Sequence, residues 1–351
     1  MNKNSVIDFI ENSFLKDLLK LDSVTDISYN GEEIFYQDNL KGRMRSNIEI
    51  ETKEVYDFIR QIANLSDSQF SYTDPILDIS VGRYRISATH YAISRKHRDK
   101  TINFSIRIGY DQLRIKDDGN FINSKCLKLV NLFVQKQFSI VIGGLTSSGK
   151  TEFQKFLISK FKPATRVIVI DNVDELDTDY INGTIDVQTW LNLEKYNKID
   201  FDKLVKTALR NNHDYLIVSE ARGEEMLAIL NSAMSGHPTI TTIHSKDIRS
   251  MYSRLTRMAM LKNQNLKFDE TLVDIYDHFK LIIHVKKMVT ETGEIKRFVD
   301  AIATNRFNKM QILYRYPNKF YNLPRCIKYD LELSEDTYQT LKKEWESDLN
   351  D

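Results

Sequence analysis

The chain is poor in the features that mark several classes of protein. Of its 351 residues only Cys126 and Cys326 are cysteines. They are far apart and form no C-x-x-C, so neither a disulfide framework nor a cysteine zinc module is indicated, and both read as reduced packing residues. No apolar run approaches the roughly 18 residues a membrane span needs. Met1 to Ile10 lacks the basic-then-apolar layout of a signal peptide, so a cytoplasmic protein is expected. Fifty basic against forty-nine acidic side chains leave a formal net charge of +1. Bulk charge therefore gives no argument for binding nucleic acid or a membrane surface. What remains is ordinary soluble composition, 41% hydrophobic, on a chain long enough to expect two domains.

Against that background one stretch stands out: Phe138 to Phe161, FSIVIGGLTSSGKTEFQKFLISKF. Ser139 to Ile142 is a short β-branched strand candidate. Beyond the small-residue loop, apolar residues recur at Phe153, Phe156, Leu157 and Phe161, one face of a helix. Between them Gly144, Gly149, Lys150 and Thr151 fit G-x-x-x-x-G-K-[ST]. In that pattern the loop amides wrap phosphates, Lys adds charge and Thr holds Mg²⁺. A helix N-terminus at Lys150 and Thr151 presents unpaired N–H groups and the positive end of the dipole to an anion. The expected nucleotide-binding set is Gly144, Leu145, Thr146, Ser147, Ser148, Gly149, Lys150, Thr151 and Glu152.

Before this stretch, Val6 to Leu21 reads as an amphipathic helix, and Val24 to Tyr29 with Glu33 to Gln37 reads as a hairpin about Asn30-Gly31. Thr52 to Leu65 is helical in pattern. Residues 74–94 alternate about Gly82, and Thr101 to Ile108 is a further strand. This predicts an α+β N-terminal domain over 1–109, with polar 110–123 as linker. From Ser124 on, β and α signals alternate through Arg166 to Ile170, Phe201 to Asn211, Tyr215 to Val218, Glu224 to Met234 and Thr239 to Ile243. That alternation predicts an α/β domain over 124–304, built on a mainly parallel sheet whose ligands sit at the carboxyl ends of the strands. Met251 to Leu266 reads as helix, Phe279 to Val285 with Arg297 to Ala303 as a hairpin, and 305–351 as an extension with a late helix over 334–348.

The strand ends carry acids. Leu216-Ile217-Val218 delivers Glu220, and VIVID delivers Asp171, with Asp174 and Glu175 following. One acid for the ion and one to orient water is what metal-assisted phosphoryl transfer needs; alone, each also reads as a cap or solvated acid. His237 and His244 bracket a β-branched strand with an odd separation that points them to opposite faces, which argues against a two-histidine metal site. Thr241, Thr242 and His244 are candidates for a polar relay near a γ-phosphate. Arg83, Arg85, Arg95, Arg98 and Arg107 crowd the earlier strand-rich region, where guanidinium groups suit phosphate recognition or simply an exposed basic face.

In their order, these boxes resemble the secretion-superfamily traffic ATPases of type IV secretion, conjugation, pilus assembly and type II secretion. The resemblance spans about residues 20 to 300. It rests on VTDISYNGEEIFYQ, on DPILD with GRYR and TINFSIRI, on the P-loop, and on VIVIDNVDEL, DYLIVSEARG, MSGHPTITTIH and Ser253-Arg254-Leu255. It implies a RecA-like P-loop motor behind a smaller N-terminal domain, assembled as a homo-hexamer with Mg²⁺ and ATP between the domains. It further implies that Lys150 and Thr151 hold phosphate and metal, that Glu220 is the Walker B acid, also on the metal, and that Asp171 stands in the acidic box. His244 then reads the nucleotide state with His237 preceding it, Arg107 and Arg85 approach the γ-phosphate, and Arg222 follows the Walker B acid. Such motors serve inner-membrane components of a secretion or pilus machine at the cytoplasmic face, and nucleic acid enters at most indirectly.

The chain departs from the family pattern in places. G-G-T-G-S-G-K-T becomes GLTSSGKT, I-E-D becomes Ile170-Asp171-Asn172, and Ser219 replaces the Gly of V-G-E. These changes touch hydrolysis more than binding, so a slow ATP-binding structural or regulatory subunit stands beside the hydrolase as a second reading. A helicase-like DNA motor is a third, weaker one, because no basic face with interleaved aromatics stands out.

Overall fold

The computed structural model describes residues 3–110, 112–172, 176, 184–192 and 200–347. The chain divides into two compact units, Met1–Asp111 with Met288–Lys296, and Gln112–Lys287 with Arg297–Asp351.

The first unit contains α1 (Lys3–Glu11), α2 (Lys16–Leu19), β1 (Val24–Tyr29), β2 (Ile34–Asp38), β3 (Gly42–Arg45), α3 (Thr52–Leu65), β4 (Ile76–Val81), β5 (Tyr84–Thr89), the short pair β6 (Arg95–Lys96) and β7 (Asp99–Lys100), and β8 (Asn103–Ile108). Six strands form one antiparallel sheet in the order β3-β2-β1-β8-β5-β4. Val6 and Ile10 of α1 and Val55, Ile59 and Ile62 of α3 pack with Ile27, Ile86 and Ile106 of the sheet.

Two local expectations change here. The predicted helix over 6–21 is two helices, because Ser13 competes with the ladder: its hydroxyl donates to Ile10 O at 2.7 Å and accepts from Leu15 N–H. The turn at Asn30-Gly31 is also longer than two residues. Asn30 Oδ1 accepts from Glu32 N–H and Glu33 N–H, and of the pair only Gly31 takes a positive φ, +98°.

The second unit contains α4 (Ser124–Gln135), β9 (Ile140–Gly144), α5 (Lys150–Ile158), β10 (Arg166–Asp171), β11 (Asp186–Leu191), α6 (Phe201–Ala208), β12 (Tyr215–Ala221), α7 (Glu225–Met234) and β13 (Thr239–His244). It continues with α8 (Met251–Lys262), α9 (Phe268–His278), β14 (Leu281–Val289), β15 (Ile295–Arg306), β16 (Lys309–Arg315), β17 (Lys319–Phe320), α10 (Cys326–Asp330) and α11 (Glu335–Glu346). The nine-stranded sheet runs β11-β10-β12-β13-β9-β14-β15-β16-β17, parallel from β11 to β14. Antiparallel pairing joins β15, β16 and β17.

Alternation along the strands fills both faces, as a parallel sheet requires. Ile140, Ile142, Val167, Val169, Tyr215 and Ile217 face one core with α4 and α5. Val141, Ile168, Ile170, Leu216 and Val218 face the other with α6 to α9. The fold is therefore the expected α/β class. Strands β3, β6, β7, β11, β16 and β17 and helices α9 and α10 were not foreseen. Residues from 305 onward complete β15, add β16 and β17, and bury Tyr338, Leu341 and Trp345 in the first core, with Trp345 edge-on to Phe320 at 4.9 Å.

Candidate nucleotide site

The carboxyl ends of β9, β10, β12 and β13 lie side by side because the four strands are parallel neighbours. Between β9 and α5, Gly144 to Gly149 form the loop. Gly144 admits no side chain: a Cβ there would meet Val285 O at 2.5 Å and Ser148 Oγ at 2.6 Å. Gly149 has φ +96°, as needed to turn into α5. Ser147 also lies in the left-handed region, at φ +59°, without being glycine. Its carbonyl accepts from Arg297 Nε at 3.0 Å, and burial pushes the Arg297 guanidinium below its usual range. Ser148, buried, donates to Leu145 O at 2.7 Å. Leu145 is 56% exposed.

Lys150, in the first turn of α5, donates to Leu145 O at 3.2 Å and lies 3.5 Å from His244 Nδ1. Across the ring, His244 Nε2 is 2.7 Å from Glu220 Oε1, and Glu220 Oε2 accepts from Arg222 Nε at 2.9 Å. The Nδ1 lone pair of a neutral imidazole can take the ammonium proton, while Glu220 Oε1, buried, sits close to Nε2 without forming a hydrogen bond. Burial and then Lys150 hold His244 below the usual imidazole range, against the opposing pull of Glu220.

Glu220 reaches this place through a bulge. The β12–β13 register slips between Val218 and Ala221, which turns Ser219 and Glu220 out of the regular ladder. The bulge is braced from three sides. Thr242 Oγ1 donates to Ser219 O at 2.8 Å, Asn172 N–H donates to Ser219 Oγ at 3.1 Å, and Asn172 Nδ2 donates to Glu220 O at 3.2 Å. From beneath, the buried Gln154 amide of α5 donates to Val218 O at 2.9 Å and Ile240 O at 3.1 Å.

The structure thus brings Lys150, Thr151, Glu220, Arg222 and His244 to one end of the sheet. Asp171 ends β10 beside them, but it is 1% exposed and its Oδ2 accepts the Leu176 N–H at 2.7 Å. The carboxylate expected to orient water is thus engaged by the Leu176 amide. Asp174 and Glu175 lie outside the described residues. Glu152 pairs with Lys155 at 3.7 Å. Of the expected threonine relay, Thr242 braces the bulge and Thr241 is buried on the other side of the strand, since neighbours alternate faces.

His237 precedes the amino end of β13, about 20 Å of strand from His244, and its ring lies tilted against that of His213 with centroids 4.9 Å apart. It is not brought to the cradle. Arg85 and Arg107 belong to the first unit, where they face each other on β5 and β8. Arg85 donates to Gly82 O at 2.8 Å, and Arg107 Nε lies 3.3 Å from Asp26 Oδ1.

Sequence reasoning missed Gln154, Arg297 and the pairing of buried His284 with half-buried Asp300. Single polar residues within LIIHV and FVDAIA were the available signal.

The family described as type II/IV secretion system protein matches residues 107–309, more than half of the chain, and the chain belongs to that family. An uncharacterized protein of Bacillus anthracis is 28% identical over 80% of this chain and 64% of its own length. Protein VirB11 of Agrobacterium tumefaciens is 28% identical over 52% of this chain and 54% of its own. The chain therefore spans less than two thirds of the length of either relative. The X-ray structure of the Legionella pneumophila ATPase DotB superposes with a TM-score of 0.60 at 19% identity, covering 87% of this chain and 81% of that one, a likeness of fold. Among the described residues no helix is long and apolar enough to cross a membrane.

Proposed function

We propose that the chain is an ATP hydrolase that works as a ring, a homo-hexamer, on the cytoplasmic side of a membrane secretion, conjugation or pilus machine. The observation that carries this reading is the line Lys150–His244–Glu220–Arg222 at the mouth of the phosphate loop. The closed fit around Gly144 and the left-handed Gly149 suit a polyphosphate wrapped by amides at a helix N-terminus. Thr151 and Glu220 are the residues to hold Mg²⁺, which needs only one or two protein oxygens beside the phosphates and neutralises charge on them when bound.

In this reading Lys150 leaves Leu145 O for phosphate, which frees His244 Nδ1. His244 is then free to turn so that its Nε2, beside Glu220 Oε1, makes a hydrogen bond to it, and the occupied cradle is reported to Glu220 that way. Glu220 faces the attacking water as a carboxylate, while Asp171 stays on the Leu176 amide. Arg85 and Arg107 are proposed to meet the γ-phosphate from the first unit, and the membrane partners are proposed to be inner-membrane components of the machine.

A second reading, a slow ATP-binding subunit of such a machine, has one specific observation in its favour: Asp171 is buried on the Leu176 amide. ATP turnover of the wild type beside Lys150→Ala, with nucleotide binding measured on both, separates the two.

A further inference from the structure

Strand β14 is apolar through Leu281, Ile282 and Ile283 and then carries His284, only 1% exposed and in register with Gly143 of the phosphate-loop strand. A buried imidazole in a parallel core needs partners for both nitrogens. Nδ1 lies 3.0 Å from Asp300 Oδ2 on β15, and Nε2 lies 3.3 Å from the carbonyl of Ser245. Neither partner has a proton to give. A backbone carbonyl only accepts, and the hydrogen bond from His284, with Lys286 beside it, holds the Asp300 carboxyl below its usual range. A ring that satisfies both must donate from both nitrogens.

Ser245 directly follows His244. Its N–H donates to Gly144 O at 3.2 Å, and its hydroxyl donates to Asp247 O at 2.7 Å. One buried ring therefore grips the turn in which the phosphate-loop strand and the His244 strand end together. The charged and titratable groups around the pair are Asp300, Lys286, Arg315 and Tyr314 on the strands and Asp247 in the turn.

We propose that His284 is a positioning residue: donating to Asp300 from Nδ1 and to Ser245 O from Nε2, it fixes the turn that holds His244 against Glu220 and Lys150. It does not touch nucleotide. Its effect on rate rests on the hydrolase reading; its hydrogen-bonding state does not.

The full chain tests this in two ways. Nitrogen NMR of the His284 ring, assigned by its loss in His284→Gln, should find Nδ1–H donated to Asp300 and Nε2–H donated to Ser245 O. A bare ring nitrogen would overturn the proposal, whether or not the protein turns over ATP. In kinetics, His284→Asn keeps only the Asp300 side, whereas the longer amide of His284→Gln reaches Ser245 O. His284→Asn should lower kcat about tenfold with KM for ATP unchanged, as small misplacements of a site do, and His284→Gln should recover most of it. Equal losses in the two variants, or a fall in thermal stability with kcat untouched, would make His284 a packing residue and refute the proposal. A wild type without turnover would sink the hydrolase reading, and the ring nitrogens would then decide this one alone.

Discussion

Asn172 and Ser219, two positions at which this chain departs from the pattern of its family, touch each other. The Asn172 N–H donates to the Ser219 hydroxyl at 3.1 Å, and the Asn172 amide reaches Glu220 O at 3.2 Å while accepting from Asn192. The two changes form one brace behind the acid at the end of β12. Restoring the family acid with Asn172→Asp therefore does not restore a better site. It removes the donor to Glu220 O and sets a second negative group beside Glu220. The expected loss is about 1–3 kcal/mol of stability with lower turnover, read by thermal unfolding and steady-state kinetics.

Ser147 holds a left-handed backbone in which a side chain is strained by about 1–2 kcal/mol. Ser147→Gly removes that strain, at some cost in unfolded-chain entropy, for a net gain of roughly 0.5–1 kcal/mol. Arg297→Ala works the other way, removing the donor to Ser147 O, and should weaken nucleotide binding. Thermal shift with and without nucleotide measures both.

Gln154 couples the phosphate-loop helix to the bulge that presents Glu220. Gln154→Leu fills the space but leaves Val218 O and Ile240 O without that donor, at about 1–3 kcal/mol. Gln154→Glu is worse, because a carboxylate then faces two carbonyls. Both variants should lower kcat more than they raise KM.

His244 is held below the usual imidazole range by burial and Lys150. Between its ordinary value and the lower folded value the unfolded chain binds more protons, so its contribution to stability is lost as pH falls through that window. Protonation also fills Nδ1, which then repels Lys150. The acid limb of kcat should therefore lie below the ordinary imidazole value. In Lys150→Met, assayed by unfolding because turnover is lost, the transition should move up toward that value.

What the sequence made legible is what periodicity and local chemistry encode. The strand before Gly144, the helix after Gly149 and the parallel order that gathers Glu220 and His244 all follow from runs such as SIVIGG and YLIVSEA. The direction of a side chain is a different matter. Nothing in VIVIDN says that Asp171 turns to the Leu176 amide, since a strand-end acid serves a loop or a ligand equally well. Gln154 looks like a surface residue of a helix until the sheet covers it, and His284 with Asp300 is a pair only because β14 and β15 are neighbours. Strand β11, partly exposed along its length, carries too weak an alternation to stand out.

The central claim is that the loop from Gly144 to Thr151 binds ATP and that Lys150, His244 and Glu220 act on it together. ATP turnover of the wild type beside Lys150→Ala, with nucleotide affinity measured on both, tests it most directly. The account predicts steady turnover by the wild type and a background rate with weakened binding in Lys150→Ala. Equal rates in the two proteins, with the wild type binding nucleotide normally, would contradict it.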